Sequence, residues 1–332
     1  MVCSWRKALL VACVLSAVIF AGAVAAGAQA PRIAFIPKNL GNPFFDAVYA
    51  GIQKAAQELG YETVYIGPPA ADPASQIPFI QQQTAQQVAA IIISANDANT
   101  VAPALRAAMQ RGIAVVAVDA DAAVDARHAY IQPVDFDTVG PEQVKLLAEL
   151  IDYQGEFAIL SATTTAPNQN AWIAGMQVEL EKPEYANMRL VRIAYGDDEP
   201  QKSYRETEGL LAAFPNLRGI ISPTTVGLAA AAQALETNNA ADRVTLTGLG
   251  LPNQMRSYVK NGTVTAFQLW DPSEMGYAAV YLVDAIRGGL TPEPGASYQA
   301  GKLGERTFGE NNVVIAGSLT TFTAENIDDY DF

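Results

Sequence analysis

The stretch PRIAFIPKNLGNPFFD, residues 31–46, decides the fold of this chain. Ile33–Ile36 is a continuous apolar run, which is typical of a buried strand in a parallel sheet. A polar, glycine-containing turn follows, and a helix is predicted from Phe44. Aromatic rings beside the ammonium of Lys38 and the amide of Asn42 suit a ligand with apolar C–H faces and a rim of hydroxyls. The segment therefore predicts a βα unit whose turn binds a small polar molecule such as a sugar.

Residues 1–30 have the layout of a secretory signal peptide. Arg6-Lys7 precedes an apolar run over residues 8–26, and Ala28-Gln29-Ala30 matches an A-x-A cleavage site. Two alternatives are an uncleaved membrane anchor, because the apolar run approaches the length of a bilayer span, and lipidation at the lipobox-like Leu10–Cys13. The alanine-rich end of the run favours cleavage, which predicts a periplasmic or extracytoplasmic location.

The composition argues against several kinds of site and ligand. Cys3 and Cys13 are the two cysteines and both lie in the predicted signal, so no disulfide or cysteine ligand is expected after cleavage. The single histidine, His128, cannot form a histidine-rich metal site, and we expect no catalytic residue, metal or cofactor.

The net charge is −13, and losing two basic residues with the signal makes it −15. Such a surface repels nucleic acid and anionic lipid and suits a neutral ligand.

Short apolar runs alternate with helix-period segments along most of the chain, which predicts an α/β protein. The pattern pauses over residues 129–137 and then restarts, and we interpret it as two doubly wound lobes, each with a parallel sheet. Residues 288–309, rich in glycine and proline, are predicted to be a loop. The predicted strands are 33–36, 62–65, 90–93, 114–118, 157–160, 190–194, 220–222, 244–249, 267–270 and 312–315. The predicted helices are 44–60, 76–87, 101–112, 138–153, 169–180, 203–214, 227–238, 253–262, 273–287 and 324–329.

The segments that follow the predicted strands are polar, aromatic or turn-forming. In open α/β sheets, ligands bind beyond the carboxyl ends of the strands. Two lobes whose strand ends face each other would form a cleft that closes by hinge motion. The segments expected at this cleft are 38–45, 94–96, 119–121, 161–170, 223–225, 248–250 and 270–271.

Several motifs occur together in this arrangement. They are Ile36-Pro37-Lys38, Asn42-Pro43-Phe44-Phe45, Ala108–Gly112, Val118-Asp119, Asn168–Trp172, Leu269-Trp270-Asp271 and the terminal Glu325-Asn326-Ile327 with Tyr330-Asp331-Phe332. With them the chain resembles the type I periplasmic sugar-binding proteins of ABC importers, the ribose-binding class, over essentially its whole length after residue 30. Within that class it is most similar to the branch of rhamnose-binding and autoinducer-2-binding proteins.

The resemblance implies a fold of two lobes joined by a hinge that the chain crosses several times. We expect residues 31–133 with 272–304 in the N-terminal lobe, and 134–271 with 305–332 in the C-terminal lobe. It also implies partners: a monosaccharide ligand, a membrane permease with its ATPase, and in some cases a chemoreceptor. A monomer that does not bind nucleic acid is expected.

The resemblance also implies roles for individual residues. Lys38 would donate hydrogen bonds to a ligand hydroxyl, Phe44 would stack on the apolar face of the ligand, and Asp119 would accept a hydroxyl pair. Adjacent positions point in different directions, so one of the two rings is expected to pack in the lobe and the other to face the cleft; Phe44 is the choice for the ligand, and Phe45 stays a binding-site candidate. A helical Trp172 fits the core as well as a pocket wall. The other candidates are an amide contact from Gln169, a wall at Pro223 and Thr225, closure by Trp270 and Asp271, and Asn42 and Asn168.

One position separates the two ligand types of this branch. Autoinducer-2 binders have an aspartate where this chain has Asn168, and the sugar-binding relatives tend to have Asn-Gln-Asn. An amide lacks the strong, charge-assisted acceptor of a carboxylate and offers a donor and an acceptor instead. We therefore expect a monosaccharide, a deoxyhexose or pentose, with autoinducer-2 as the alternative.

A secreted enzyme is the competing functional class. Asp119 and Asp271, both predicted at strand ends, could form an acid–base pair for glycoside chemistry. No apolar pocket for a general acid is evident in the sequence, so a binding protein is favoured. The same fold also occurs in sugar-responsive repressors, but these carry an N-terminal helix-turn-helix in place of a signal peptide.

Overall fold

Two mainly parallel sheets, each covered by helices on both faces, organise the chain in the computed structural model, which describes residues 30–332. The predicted α/β fold of two doubly wound lobes is confirmed. The strands are β1 Arg32–Ile36, β2 Glu62–Tyr65, β3 Ala90–Ile93, β4 Ala114–Val118, β5 Ala129–Gln132, β6 Gly155–Ser161, β7 Met188–Tyr195, β8 Leu217–Ser222, β9 Thr245–Gly248, β10 Phe267–Leu269, β11 Ser297–Gln299, β12 Glu305–Thr307, β13 Val313–Ile315 and β14 Thr320–Phe322. The helices are α1 Pro43–Leu59, α2 Ile77–Ala85, α3 Ala98–Gln110, α4 Phe136–Leu150, α5 Pro167–Glu179, α6 Pro200–Ala213, α7 Thr225–Thr237, α8 Pro252–Lys260 and α9 Pro272–Arg287.

The first βα unit forms as the opening stretch predicts. Asn42 caps α1, since its Oδ1 accepts a hydrogen bond from the backbone N–H of Phe44 at 3.1 Å. Pro43 occupies the first helical position, where its missing N–H has no intrahelical partner to lose. The helix ends at Gly60, whose φ of 76° is in the left-handed region that glycine adopts without strain.

The N-terminal lobe is built on a six-stranded parallel sheet in the order β13-β5-β4-β3-β1-β2. Alternate residues of β1 face opposite sides of this sheet, as the two-residue period of a strand requires. Ile33 and Phe35 belong to the core cluster that includes α1 and α9, whereas Ala34 and Ile36 belong to the cluster that includes α2 and α3. Burial on both faces explains why these strands are continuously apolar.

The C-terminal lobe repeats the arrangement around a four-stranded parallel sheet in the order β7-β6-β8-β9. A parallel bridge between Leu249 and Gln268 brings β10 beside β9, and β10 pairs antiparallel with β14. Phe157 and Ile159 on β6 pack with α4 and α5, while the alternate residues of β6 pack with α6 and α7. In both lobes the first strand therefore lies in the interior of the sheet, and its carboxyl end borders the candidate ligand-binding site between the lobes.

Within residues 30–332 the chain passes between the lobes three times: between β5 and α4, between β10 and α9, and between β13 and β14. The third passage differs from the predicted boundary between the lobes. That prediction places all of residues 305–332 in the C-terminal lobe. Val314 lies opposite Ile131, so β13 is an edge strand of the N-terminal sheet. The N–H groups of Ala316 and Gly317 then donate to the carbonyls of Gln132 and Pro133, both at 2.9 Å, which holds two passages side by side.

Helices α1 and α9 cross at very short range because each carries a glycine at the contact. A Cβ added to Gly51 would lie 1.9 Å from the carbonyl oxygen of Ser273, and one added to Gly276 would lie 2.0 Å from that of Val48. No side chain fits there, so glycine at both positions fixes how α9 returns to the N-terminal lobe.

Several short elements differ from the sequence prediction. Residues 129–132, where the alternating strand and helix pattern of the sequence is interrupted, form strand β5. The predicted loop at 288–309 contains the β11–β12 hairpin. Strand β14 was not predicted, and the predicted last helix is only a single 3-10 turn, Ile327–Asp329. His128 is half-buried, and its Nδ1 accepts a hydrogen bond from the N–H of Val115 at 3.0 Å. Burial lowers the pKa of His128.

Within residues 30–332, none of the helices has the length and apolar character that a membrane crossing needs. The predicted signal peptide and its cysteines lie outside the described residues.

Candidate ligand-binding site

A cavity of about 30 Å³ lies between the two lobes, at the carboxyl ends of strands from both sheets. The residues that line it are Lys38, Asn42, Phe44, Phe45, Asp119, Asn168, Gln169, Trp172, Asp198, Pro223, Thr224, Thr225, Leu249, Leu269 and Trp270.

Lys38 and Asp119 supply the charged part of the N-terminal wall. Lys38 follows β1 and Asp119 follows β4, and both are almost fully buried, at 3% and 4% exposed. The Lys38 Nζ lies 3.5 Å from Asp119 Oδ2, and the Ser94 hydroxyl donates to the same oxygen at 2.8 Å. Asp119 has a φ of 60° and its carbonyl accepts from the Tyr130 hydroxyl at 2.6 Å, so backbone and side chain are both held in place. A buried charge pair needs this support because desolvation opposes it.

Asn168, from the C-terminal lobe, connects these two charged groups. Lys38 Nζ donates to Asn168 Oδ1 at 3.0 Å, and Asn168 Nδ2 donates to Asp119 Oδ1 at 3.0 Å. The amide thus uses its acceptor toward the ammonium and its donor toward the carboxylate, which fixes the orientation of the amide. A second contact between the lobes runs from the Thr165 hydroxyl to the carbonyl of Asn96 at 3.2 Å.

Gln169 is held so that its amide oxygen is used within the protein. Its Oε1 accepts from the Ser161 hydroxyl at 2.6 Å and from the N–H of Ala162 at 2.7 Å. Both donors lie where β6 ends and the segment before α5 begins. The amide nitrogen then remains to donate to a ligand in the cavity.

Aromatic rings form the apolar part of the wall. Phe44 meets Trp270 edge-to-face at 6.3 Å between ring centroids, and Trp172 meets Trp270 at 5.7 Å. Both indole N–H groups are buried and have no hydrogen-bond partner within residues 30–332. Phe45 contacts Phe44 at 5.3 Å and also packs on Phe35 of the core, so it supports the wall as well as lining the cavity. An indole combines a large apolar face with one donor, which suits a hydroxylated ring.

Asp198 is the charged residue of the cavity that the sequence analysis missed. It follows β7, is 6% exposed, and its Oδ1 accepts from the Thr224 hydroxyl. Burial raises the pKa of the Asp198 carboxyl, Lys38 and the Thr224 hydrogen bond oppose that rise, and the negative charge of Asp119 adds to it. The site therefore contains a second carboxyl whose protonated form is favoured by its surroundings.

The structure brings eleven of the twelve predicted site residues to this cavity and places one elsewhere. Asp271 caps α9, with its Oδ1 accepting from the N–H of Ser273 at 2.7 Å, and it lines a separate cavity near the passages between lobes. The predicted role of Asp271 in closing the pocket is not supported, because the carboxylate satisfies the start of a helix. The residues missed were Asp198, Thr224, Leu249 and Leu269.

Local sequence could have indicated most of the missed residues. Asp198 lies in the acidic turn after a predicted strand, a position equivalent to the other strand ends. Thr224 stands between two predicted residues, and Leu249 and Leu269 adjoin predicted strand ends. No group of three or more histidine, cysteine, aspartate or glutamate side chains in residues 30–332 is arranged to hold a metal ion.

The chain belongs to the periplasmic binding protein domain family, whose model matches residues 33–290. It is similar to a sugar ABC transporter from Actinomyces odontolyticus, with 45% identity, 91% of this chain and 98% of that chain covered, and a TM-score of 0.73. An ABC transporter solute binding protein from Clostridium phytofermentas with bound L-rhamnose is 31% identical, with the same coverage and a TM-score of 0.87. LsrB from Clostridium saccharobutylicum in complex with AI-2 is 26% identical, covering 91% and 100%, with a TM-score of 0.86. The chain is thus a type I periplasmic sugar-binding protein, of the kind that serves ABC transporters.

Proposed function

We propose that this protein is the extracytoplasmic solute-binding component of an ABC importer and that it binds one monosaccharide, a rhamnose-like deoxyhexose or a pentose, as its lobes close. The observation that carries this proposal is the position of Asn168. It reaches from the C-terminal lobe to Lys38 and Asp119 of the N-terminal lobe, at the place where a ligand would contact both.

The chemistry of the cavity supports a neutral sugar. Ammonium, carboxyl and amide groups can serve as donors and acceptors for hydroxyls, while Phe44 and the two tryptophans can cover an apolar ring face. The 31% identical protein with bound L-rhamnose supports a deoxyhexose in particular. A ligand that contacts both lobes binds the closed form more tightly than the open one, and it shifts the population by that difference.

Autoinducer-2 is the second candidate ligand, and the 26% identical complex of LsrB with AI-2 favours it. Asn168 supports the sugar, because its amide is already oriented by the Lys38 ammonium, which donates to it, and by the Asp119 carboxylate, which accepts from it. A ligand that needs a carboxylate at this position would meet an amide instead.

The proposal includes no catalysis. The relatives described above are transport and binding proteins. The acid–base pair that we considered also loses support, since Asp119 lines the cavity and Asp271 caps α9. The remaining carboxyl, Asp198, is hydrogen-bonded to Thr224.

The proposed partners follow from this role. A membrane permease would recognise the outer faces of the closed lobes, and its ATPase would drive import. We propose a monomer located in the periplasm or otherwise outside the cytoplasm, and a chemoreceptor as a second partner of the closed form.

A thermal-shift screen of the purified protein tests the proposal. The panel contains L-rhamnose, D-ribose, D-xylose, L-arabinose and autoinducer-2, with sucrose as an osmolyte control. A ligand present at a hundred times its Kd should stabilise the fold by about 2.7 kcal/mol, a readable shift. A hit with a monosaccharide supports the proposal, a hit with autoinducer-2 alone promotes the second candidate, and no hit contradicts both.

A further inference from the structure

Asp119 is held by its backbone as well as by its side chain. Its φ of 60° lies in the left-handed region, which residues with a side chain seldom adopt, so surrounding contacts must hold it there. The backbone conformation sets the direction in which a side chain leaves the chain. The position of the Asp119 carboxylate in the cavity therefore depends on the contacts that fix the peptide groups of this residue.

Tyr130 provides such a contact. Its hydroxyl donates to the carbonyl of Asp119 at 2.6 Å, and the side chain is buried. Burial raises the pKa of Tyr130 well above its ordinary value, the charges of Asp121 and Asp119 add to that rise, and Arg127 opposes it. The hydroxyl consequently keeps its proton at neutral pH and serves the carbonyl as a donor.

Arg127 holds the ring of Tyr130 in place. The central carbon of its guanidinium lies over this ring, 5.6 Å from the ring centroid. The Arg127 side chain is 1% exposed, and its Nε and Nη2 donate to the two carboxylate oxygens of Asp121, the second at 2.8 Å. A fork of this kind fixes the plane of the guanidinium as well as its position. The ring that carries the hydroxyl is thus packed against a group that is itself held on two sides.

The same guanidinium contacts the segment before β13, the edge strand of the N-terminal sheet. Arg127 Nη1 donates to the carbonyl of Asn311 at 2.8 Å, two residues before this strand begins. Asn312 Nδ2 donates to the carbonyl of His128 at 3.1 Å, so two neighbouring contacts fasten the turn before β5 to this segment. The chain leaves for the C-terminal lobe directly after β13. The support of Asp119 is thereby anchored on the segment that leads into one of the passages between the lobes.

We propose that Tyr130 and Arg127 are positioning residues for sugar binding: the Tyr130 hydroxyl, held by the Arg127 guanidinium, fixes the backbone of Asp119 so that its carboxylate is directed at the hydroxyls of the ligand. Of residues 30–332, those that line the cavity include neither of the two, so they act on the ligand through Asp119. This inference rests on the proposed sugar-binding function and adds two residues to it. It differs from a role in stability alone because it requires that the loss of the hydroxyl lowers affinity by way of Asp119.

Calorimetric titration of L-rhamnose, D-ribose, D-xylose and L-arabinose into wild type, Tyr130→Phe, Asp119→Ala and the double variant tests this proposal. For the sugar that wild type binds, Tyr130→Phe should raise Kd about tenfold. In the Asp119→Ala background the same change should alter Kd by less than about twofold, because no carboxylate is left to position. Tyr298→Phe is the matched control. That tyrosine is also buried and its hydroxyl donates to the carbonyl of Ala278 at 3.4 Å, so its loss should leave Kd within about twofold.

A second variant tests the part played by the guanidinium. Arg127→Lys keeps the positive charge and removes the fork, so it should raise Kd by about threefold or more in wild type and by less than about twofold in the Asp119→Ala background. Arg106→Lys is its control, because Arg106 pairs with Asp125 at the surface. This change should leave Kd within about twofold.

The outcomes separate this inference from the function on which it rests. If a sugar binds and Tyr130→Phe has the wild-type Kd, the positioning role is wrong and the proposed function stands. If Tyr130→Phe raises Kd equally in both backgrounds, its effect does not pass through Asp119 and the inference is also wrong. Should Tyr130→Phe fail to fold, a wild-type Kd in Arg127→Lys would overturn the inference. If none of the four sugars binds to wild type, the proposed function fails and this inference fails with it.

Discussion

Asn168 Nδ2 lies 3.0 Å from Asp119 Oδ1, and this hydrogen bond joins the two lobes at the centre of the candidate site. The same amide accepts from Lys38 at 3.0 Å, so one neutral side chain bridges a buried cation and a buried anion. We therefore propose that closure and ligand recognition depend on the same three residues.

Changing Asn168→Asp should weaken sugar binding by about tenfold or more, because two carboxylates would face each other at hydrogen-bonding distance. The affinity for autoinducer-2 should rise relative to that for the sugar. Both affinities can be measured by calorimetric titration. Asn170→Asp is the matched control, because Asn170 is exposed, lies two residues later and donates its side-chain N–H to the carbonyl of Thr164. Unchanged sugar affinity in Asn168→Asp would show that the bridge is not part of the ligand site.

Phe44→Leu should raise the Kd for the sugar by about tenfold, equivalent to about 1.4 kcal/mol, since the aromatic face is lost while much of the apolar volume is kept. Phe157→Leu, in the core of the C-terminal lobe, should lower Tm and leave Kd unchanged. Equal Kd values for wild type and Phe44→Leu would remove this ring from the ligand contacts.

Asp198→Asn should change how stability depends on pH. The folded-state pKa of Asp198 is raised above its ordinary value of 3.8, chiefly by burial. The carboxyl therefore stabilises the fold when it is protonated, and that contribution is lost as pH rises through the folded-state pKa. The asparagine stays neutral, so the Tm of the variant relative to wild type should rise as pH increases from below 3.8 through the folded-state pKa. Asp242→Asn, at an exposed position, is the control, and Tm curves of Asp198→Asn and wild type that run parallel with pH would contradict the assignment.

Gly276→Val should destabilise the protein by about 2 kcal/mol or more in urea unfolding, because no side chain fits between α9 and the backbone of α1. Gly209→Ala is the control. A Cβ at this exposed helical position meets nothing within 4 Å, and the better helix former should stabilise by about 0.5–1 kcal/mol. A Gly276→Val variant as stable as wild type would mean that the two helices do not pack this closely.

The sequence predicts the regular part of this molecule well because the strands buried on both faces are continuously apolar and helices such as α1, α3 and α9 begin at a capping side chain. The Asn42-Pro43 start of α1 and the run at 33–36 are local signals of this kind. The short strands β5, β11 and β14 are three or four residues long and owe their conformation to partners that local pattern does not reveal. A strand such as β14, which pairs with β10 some fifty residues earlier, carries no helix- or strand-period pattern of its own.

The sequence predicts some residues of the candidate site and misses or misplaces others. Residues directly after apolar strands, such as Lys38 and Asp119, could be placed at the cleft because parallel strands end at one edge of a sheet. Asp271 satisfies the same rule, yet its carboxylate caps the next helix, and sequence does not distinguish the two uses. Asp198 was missed because it is the middle one of three consecutive acids, residues 197–199, and the fold decides which of them faces the cavity.

The most direct test of the account is a calorimetric titration of the sugar found in the screen into wild-type protein and into Asp119→Asn. We predict one site per protein, an affinity that falls about tenfold to a hundredfold in Asp119→Asn, and no loss in Asp125→Asn, an exposed aspartate in the loop after the same strand. Circular dichroism should show that both variants are folded. Binding of the sugar to Asp119→Asn with wild-type affinity would contradict the central claim, that this protein holds a sugar between its two lobes at Lys38, Asp119 and Asn168.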